Sequence, residues 1–220
     1  MPKQVLVIIL IGFIFFCSCG FHHYENDRLR EGDLLFQDLR CGELCDAITA
    51  VTKGINGKSF SHCAMIVKDG DSLKVIEAIG KDVHFTSLRT FFARSGDTGR
   101  IEHITAERLK PRFQELIPEA VEYVKRQLGV PYDDEFRIHN GKLYCSELLY
   151  EAFRSANHNT DFFNLEPMTF KRPDSHTFFP AWVEYYQELN KPIPEGEPGL
   201  NPGSISRSPK LYVIHLNAIQ

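Results

Sequence analysis

This chain predicts an α+β fold, a mainly antiparallel sheet packed against helices, on three observations. Asp69-Gly70 separates two β-rich runs at hairpin spacing. Pro118 to Leu128 and Cys145 to Phe153 carry apolar residues at helical spacing. Further strand-like runs at Gly32–Phe36, Val83–Phe85, Gly99–Thr105 and Leu211–Leu216 surround them. The 220 residues, 43% hydrophobic and 25% charged, suit one domain with a sizeable core, or one domain with appendages.

The first twenty residues are a different material. Lys3 supplies a positive n-region, and Val5 to Phe16 is apolar apart from Gly12, the length of a signal-peptide core and short for a membrane span. Cys17-Ser18-Cys19-Gly20 then resembles a bacterial lipoprotein cleavage site, with Cys19 as the acylated first mature residue. Phe16 departs from the usual aliphatic residue of such sites, and an ordinary secretory signal cut near Gly20 is the alternative. Both readings export the protein to the cell envelope, and the first adds a membrane anchor. Residues 1–19 are therefore expected to be a signal peptide, 20–30 a polar tether and 31–220 the folded domain.

Within that domain, Gly32 to Phe36 reads as a strand and Leu39 to Thr52 as a helix ending by Gly54. Centring the next hairpin between Asp69 and Gly70 opposes Val67 to Ser72, Ile66 to Leu73, Ala64 to Val75 and His62 to Glu77. Opposed residues share a face, so an apolar patch ends in a His–Glu pair. Ser87 to Ala93 is a helical turn, and Gly99 to Thr105 another strand. Val121, Val124 and Leu128 form the apolar stripe of a helix that Gly129 stops. The Gly129–Gly141 link leads to the cysteine segment. Thr160 to Tyr185 is dense in aromatic residues, which line an apolar groove or, more commonly, pack an accessory segment. Lys191 to Pro209 reads as an extended loop, and Leu211 to Leu216 as a closing strand.

Cys145 is followed by Leu148, Leu149 and Ala152, a core-facing stripe that puts the cysteine in or near the first turn of its helix. Unpaired N–H groups and the positive helix end there stabilise a thiolate; a small inert core thiol is the competing reading. A buried His62–Glu77 pair would orient an imidazole, the second half of a Cys–His unit. Cys63 adjoins His62, but successive strand side chains point to opposite faces, so Cys63 is not expected to be the nucleophile. Gln37 is a candidate side-chain donor to an oxyanion hole. Cys41 and Cys45 form either a disulfide or two thiols on one helical face. The cysteines and histidines lack zinc-ligand spacing, and no metal or cofactor is expected. A net charge of −4 without a basic stripe excludes nucleic acid as the expected partner.

Gly32-Asp33-Leu34-Leu35-Phe36-Gln37, Ser61-His62, Ile76-Glu77-Ala78, Gly129-Val130-Pro131-Tyr132-Asp133 and Tyr144-Cys145-Ser146-Glu147-Leu148 occur in one order. Together they resemble the YiiX/YaeF-like family, the circularly permuted papain-like branch of the NlpC/P60 superfamily, over about residues 30 to 155. Ser206-Arg207-Ser208-Pro209 adds a weaker echo. The resemblance implies a permuted papain-like fold and a cysteine amidase or peptidase, with Cys145 as nucleophile, His62 as base and Glu77 as orienting residue. It also implies that Tyr132 lines the cleft. Relatives of this kind point to cell-wall peptides or lipid acyl groups as substrates. Export favours the cell-wall peptide; the aromatic density keeps a lipid acyl hydrolase or acyltransferase in view. A non-catalytic envelope binding module is the reading from another class.

Overall fold

The computed structural model describes residues 28–216 apart from 40, 52 and 96–102; the signal peptide, Cys19 and most of the tether read from the sequence lie outside the described residues. The first half of the chain forms β1 (Leu34–Gln37), α1 (Glu43–Val51), β2 (His62–Asp69), β3 (Ser72–Ile79), β4 (Asp82–Ser87), α2 (Leu88–Ala93) and β5 (Ile104–Leu109). The second half adds α3 (Ile117–Arg126), α4 (Cys145–Ala156), β6 (Glu166–Pro167), α5 (Pro180–Glu188), β7 (Pro198–Gly199), α6 (Pro202–Ser206) and β8 (Leu211–Ile214).

Among the described residues, six strands form one sheet in the order β4-β3-β2-β1-β5-β8, every neighbouring pair antiparallel. Strand alternation divides its two faces. Leu34, Phe36, Cys63, Met65, Ile76 and Ala78 pack with α3 and α4, including Val121, Leu148, Leu149 and Phe153. Leu35, Ala64, Ile66, Val75 and Ala106 form the opposite face, which Phe91 and Phe92 of α2 cover. Ser87 starts α2 directly from β4, its hydroxyl accepting the Thr90 N–H at 3.0 Å.

The β2–β3 hairpin turns on Gly70 and Asp71, one residue later than the sequence reading. The positive φ of 59° falls on Gly70, the first central position, where a type II′ turn favours glycine. The register therefore shifts by two: Ile66 faces Val75, Val67 faces Lys74 and Asp69 faces Ser72. Because the side-chain period is two, this shift preserves every face assignment. His62 and Glu77 share a face as expected, but as diagonal neighbours, not as a directly opposed pair.

The expected strand at Gly99–Thr105 is displaced to Ile104–Leu109, and most of the expected stretch lies outside the described residues. The real strand is disguised by Glu107 and Arg108, both buried. Burial pushes the Glu107 carboxyl up to about 8. Arg108 instead forks onto buried Asp33, Nε to Oδ1 at 2.7 Å and Nη2 to Oδ2 at 2.9 Å, with a further bond to the Arg28 carbonyl. Asp33→Ala leaves that guanidinium buried without its carboxylate. Its expected cost is roughly 3–5 kcal/mol, seen as a fall in the urea midpoint without a change in slope. Next to Asp33, Gly32 holds φ at 87°, and a Cβ there would meet Ile117 at 2.5 Å, so this turn into β1 admits only glycine.

The first helix begins at Glu43, not Leu39. Cys41 lies outside the helix, beyond Gly42 at φ 86°, and this frees it from helical geometry to form a disulfide with Cys45. The segment Lys191–Pro209 is more regular than a loop: β7 pairs with β6, and Asn201 with Ser204 forms a capping box that starts α6.

Candidate active site

The site begins with the loop that delivers Cys145 to its helix. Asp133, fully buried, accepts N–H bonds from Glu135 at 3.0 Å and Arg137 at 2.6 Å and from the Asn140 side chain at 2.9 Å. One carboxylate thus organises the whole turn. Glu147, in the first turn of α4, accepts the His139 N–H at 2.9 Å and ties the end of that loop to the helix; burial pushes its carboxyl up to about 8. Tyr144 stays extended, and the first intrahelical bond runs from the Leu148 N–H to the Tyr144 carbonyl. The N–H groups of Cys145, Ser146 and Glu147 precede that bond, at the positive end of the helix.

The second half of the site comes from the hairpin. His62 is the first residue of β2, at the end of the sheet where α4 starts. Its Nε2 lies 2.6 Å from Glu77 Oε2, and its other ring nitrogen is left for Cys145. Glu77 is completely buried, and Arg94, just past α2, donates Nη2 to both carboxylate oxygens at 2.9 and 2.7 Å. Burial alone would raise Glu77; hydrogen bonds from His62, Arg94 and Thr86 overcome it and hold the carboxyl down at about 2. For His62, burial disfavours the imidazolium, but hydrogen bonds with Cys145 and Glu77 outweigh it and raise the ring to about 9. Cys145 is held well below the usual thiol range, first by a hydrogen bond from the Cys63 thiol, against burial, and then by His62. The arrangement stabilises a thiolate–imidazolium pair anchored on an ionised carboxylate.

Cys145 opens onto a cavity of about 260 Å3. Ile48 and Val51 of α1, Phe136, Met168, Phe170 and Trp182 give it a mainly apolar wall. The aromatic segment therefore both packs an accessory cluster, with Phe170, Trp182 and Tyr186 buried together, and lines a groove. Glu166 and Arg207 are the charged side chains on the lining among the described residues. Tyr132 lines the same cavity as the resemblance implied, its phenol pushed up by burial and the nearby Cys145 charge.

Gln37 is not where an oxyanion donor belongs. It lies on the α2 face of the sheet opposite His62, off the cavity lining, and its amide N–H groups are used by the Phe91 carbonyl at 2.7 Å and by Ser95 Oγ. Its task is to fasten α2, and so Arg94, against the hairpin. Ser61 is a better-placed hydroxyl: it lines the cavity with Cys145 while its Oγ accepts the Leu39 N–H at 2.9 Å. Arg94 and the thiol contact of Cys63 went unread in the sequence. An arginine beyond a short helix carries no spacing signal, and strand alternation argued against Cys63 reaching the same sulfur as His62.

A family model described as permuted papain-like amidase enzyme, YaeF/YiiX, C92 family, matches residues 28–215. Among curated proteins, the chain is 30% identical over 127 residues to the uncharacterized protein YiiX of Escherichia coli strain K12, a stretch covering 57% of each chain. This chain thus aligns with a little over half the length of that relative. Among solved structures, the crystal structure of metalloprotein YiiX from Escherichia coli O157:H7 covers 86% of this chain and 97% of its own, with a TM-score of 0.66 at 23% identity, which is a likeness of fold. That neighbour is described as a metalloprotein. In this chain, among the described residues, no group of three or more His, Cys, Asp and Glu side chains is disposed to hold a metal ion.

Proposed function

The chain belongs to the permuted papain-like amidase family of YaeF and YiiX, and we propose that it is an exported cysteine amidase with Cys145 as nucleophile, His62 as general acid and base, and Glu77 as the orienting carboxylate. The observation that carries this reading is the continuous chain from Arg94 through Glu77 and His62 to Cys145, which stands at a helix start and lines a cavity. The Cys145 thiolate attacks the amide carbonyl carbon. The first-turn N–H groups, with Ser61 at the cavity wall, receive the developing oxyanion. His62 gives its proton to the leaving amine as the C–N bond breaks, then takes one from the water that hydrolyses the thioester. A binding module has no use for an ionised thiol on the wall of an open cavity.

The substrate was expected to be a cell-wall peptide or a lipid acyl group. The larger apolar share of the lining, from Ile48, Val51, Phe136, Met168, Phe170 and Trp182, favours a substrate with an apolar acyl part, while Ser61, Thr169, Asn201, Glu166 and Arg207 offer polar partners to an amide beside it. Incubating the protein with peptidoglycan fragments, N-acyl amides and acyl esters, with products read by mass spectrometry, tests both. Cleavage of apolar N-acyl amides is the expected result. Exclusive cleavage of peptidoglycan peptides would return the reading to the cell wall, and no cleavage of any class would leave the binding module. The membrane anchor on Cys19 is a separate proposal, resting on the N-terminal sequence. The native N-terminus should carry a diacylglyceryl mass on Cys19, and an unmodified terminus removes the anchor.

A further inference from the structure

Cys63 and Cys145 are the free cysteines among the described residues, and both are buried. Pairing of Phe36 with Cys63 puts the Cys63 side chain on the face that α4 covers, and both sulfurs belong to the one core cluster between sheet and helix. Cys145 opens the helix that packs on this face, and Cys63 is the first influence on its thiol, through both side chain and backbone, so the two residues are neighbours across the sheet–helix seam. Burial pushes the Cys63 thiol well above the usual range, so Cys63 is the partner that keeps its proton. Their exposure is unequal in a useful way: Cys63 is 0% accessible, whereas Cys145 is 6% accessible and lines the cavity. A small oxidant entering the cavity meets Cys145 first. Elsewhere the same chain carries the Cys41–Cys45 disulfide, and the pair Cys63–Cys145 plays no part in that bridge.

We infer that Cys63 is a resolving cysteine for Cys145, and that hydroperoxides close a reversible Cys63–Cys145 disulfide that switches the site off. The Cys145 thiolate attacks one peroxide oxygen; an S–O bond forms, the O–O bond breaks, and the peroxide leaves as an alcohol, or as water from hydrogen peroxide. Sulfur is oxidised by two electrons and the peroxide reduced by two, leaving a sulfenic acid. The Cys63 sulfur then attacks the Cys145 sulfur. The S–S bond forms, the S–O bond breaks, and the hydroxyl leaves as water with the Cys63 proton. A dithiol reverses the bridge by exchange. Without a neighbour to condense with, the sulfenic acid would proceed to the irreversible sulfinic acid. The switch acts on the nucleophile proposed above, but the bond itself is read by mass, so its formation does not depend on any substrate being found.

The test treats the whole protein with hydrogen peroxide and follows intact mass and peptide maps. The wild type should become about 2 Da lighter, yield a cross-linked Cys63–Cys145 peptide pair, and recover its mass and its iodoacetamide reactivity after a dithiol. Cys63→Ala should instead become about 32 Da heavier and stay so after reductant. Sulfinic acid appearing at the same rate in both proteins, or a wild type in which no Cys63–Cys145 cross-link can be mapped, overturns the inference. If Cys63→Ala fails to fold, the wild-type peptide map alone decides.

Discussion

Cys145→Ala should lower kcat/KM on the cleaved substrate by roughly 10^4- to 10^6-fold, the scale seen when a covalent nucleophile is deleted from a triad. The loss should fall on kcat. The apolar wall of the cavity is made by α1, the aromatic segment and the Gly129–Gly141 loop, not by the sulfur itself. Binding should therefore survive, and the variant should trap uncleaved substrate. Stability should change by only about 1 kcal/mol, because one small buried atom is removed from a contact with Cys63 and His62. A variant that folds normally and retains activity within about tenfold would remove Cys145 from the chemistry. It would point to a solvent nucleophile activated by His62 alone.

The legible parts of this chain were those with a local signal. The Asp69-Gly70 region announced a hairpin, the Leu148–Leu149–Ala152 stripe announced a helix opening at Cys145, and the period of two kept His62 and Glu77 on one face even though the turn was placed a residue early. What escaped notice depends on distant partners. The strand at Ile104–Leu109 hides Glu107 and Arg108 because its arginine is satisfied by Asp33, 75 residues earlier in the chain. Arg94 is an ordinary exposed-looking residue until Gln37 fastens α2 beside Glu77. Gln37 itself was misassigned for the same reason: a glutamine at the end of a strand has donors to offer, and only the fold reveals that Phe91 and Ser95 take them.

Glu77→Gln isolates what the carboxylate does. A glutamine amide fills the same space and can still accept from Arg94, but its NH2 group would then face His62 Nε2. A neutral ring meets that donor with an unprotonated Nε2, which places its proton on the nitrogen that must accept from Cys145. The imidazolium form also loses the charge that sustains it. Loss of the orienting carboxylate should cost roughly 10^2- to 10^4-fold in kcat/KM through the wrong tautomer. The pH dependence separates this from a merely weakened fold. In the wild type the imidazolium persists to about 9; the thiolate–imidazolium pair is present at neutral pH and disappears as pH rises through that value. In Glu77→Gln the ring titrates lower, because only Cys145 then opposes burial, so the alkaline limb of kcat/KM should move down from near 9. The stability linkage has the same sign. A histidine raised in the folded state contributes stability fully below its unfolded value of 6.5 and loses it as pH approaches 9. The imidazolium share of the variant's deficit should therefore be largest below 6.5 and shrink across that window. Glu77 contributes no acid limb nearby, since its carboxyl stays ionised down to about 2. An unshifted limb in Glu77→Gln would mean that His62 owes its protonation to Cys145 alone, and the carboxylate would be reduced to a packing partner for Arg94.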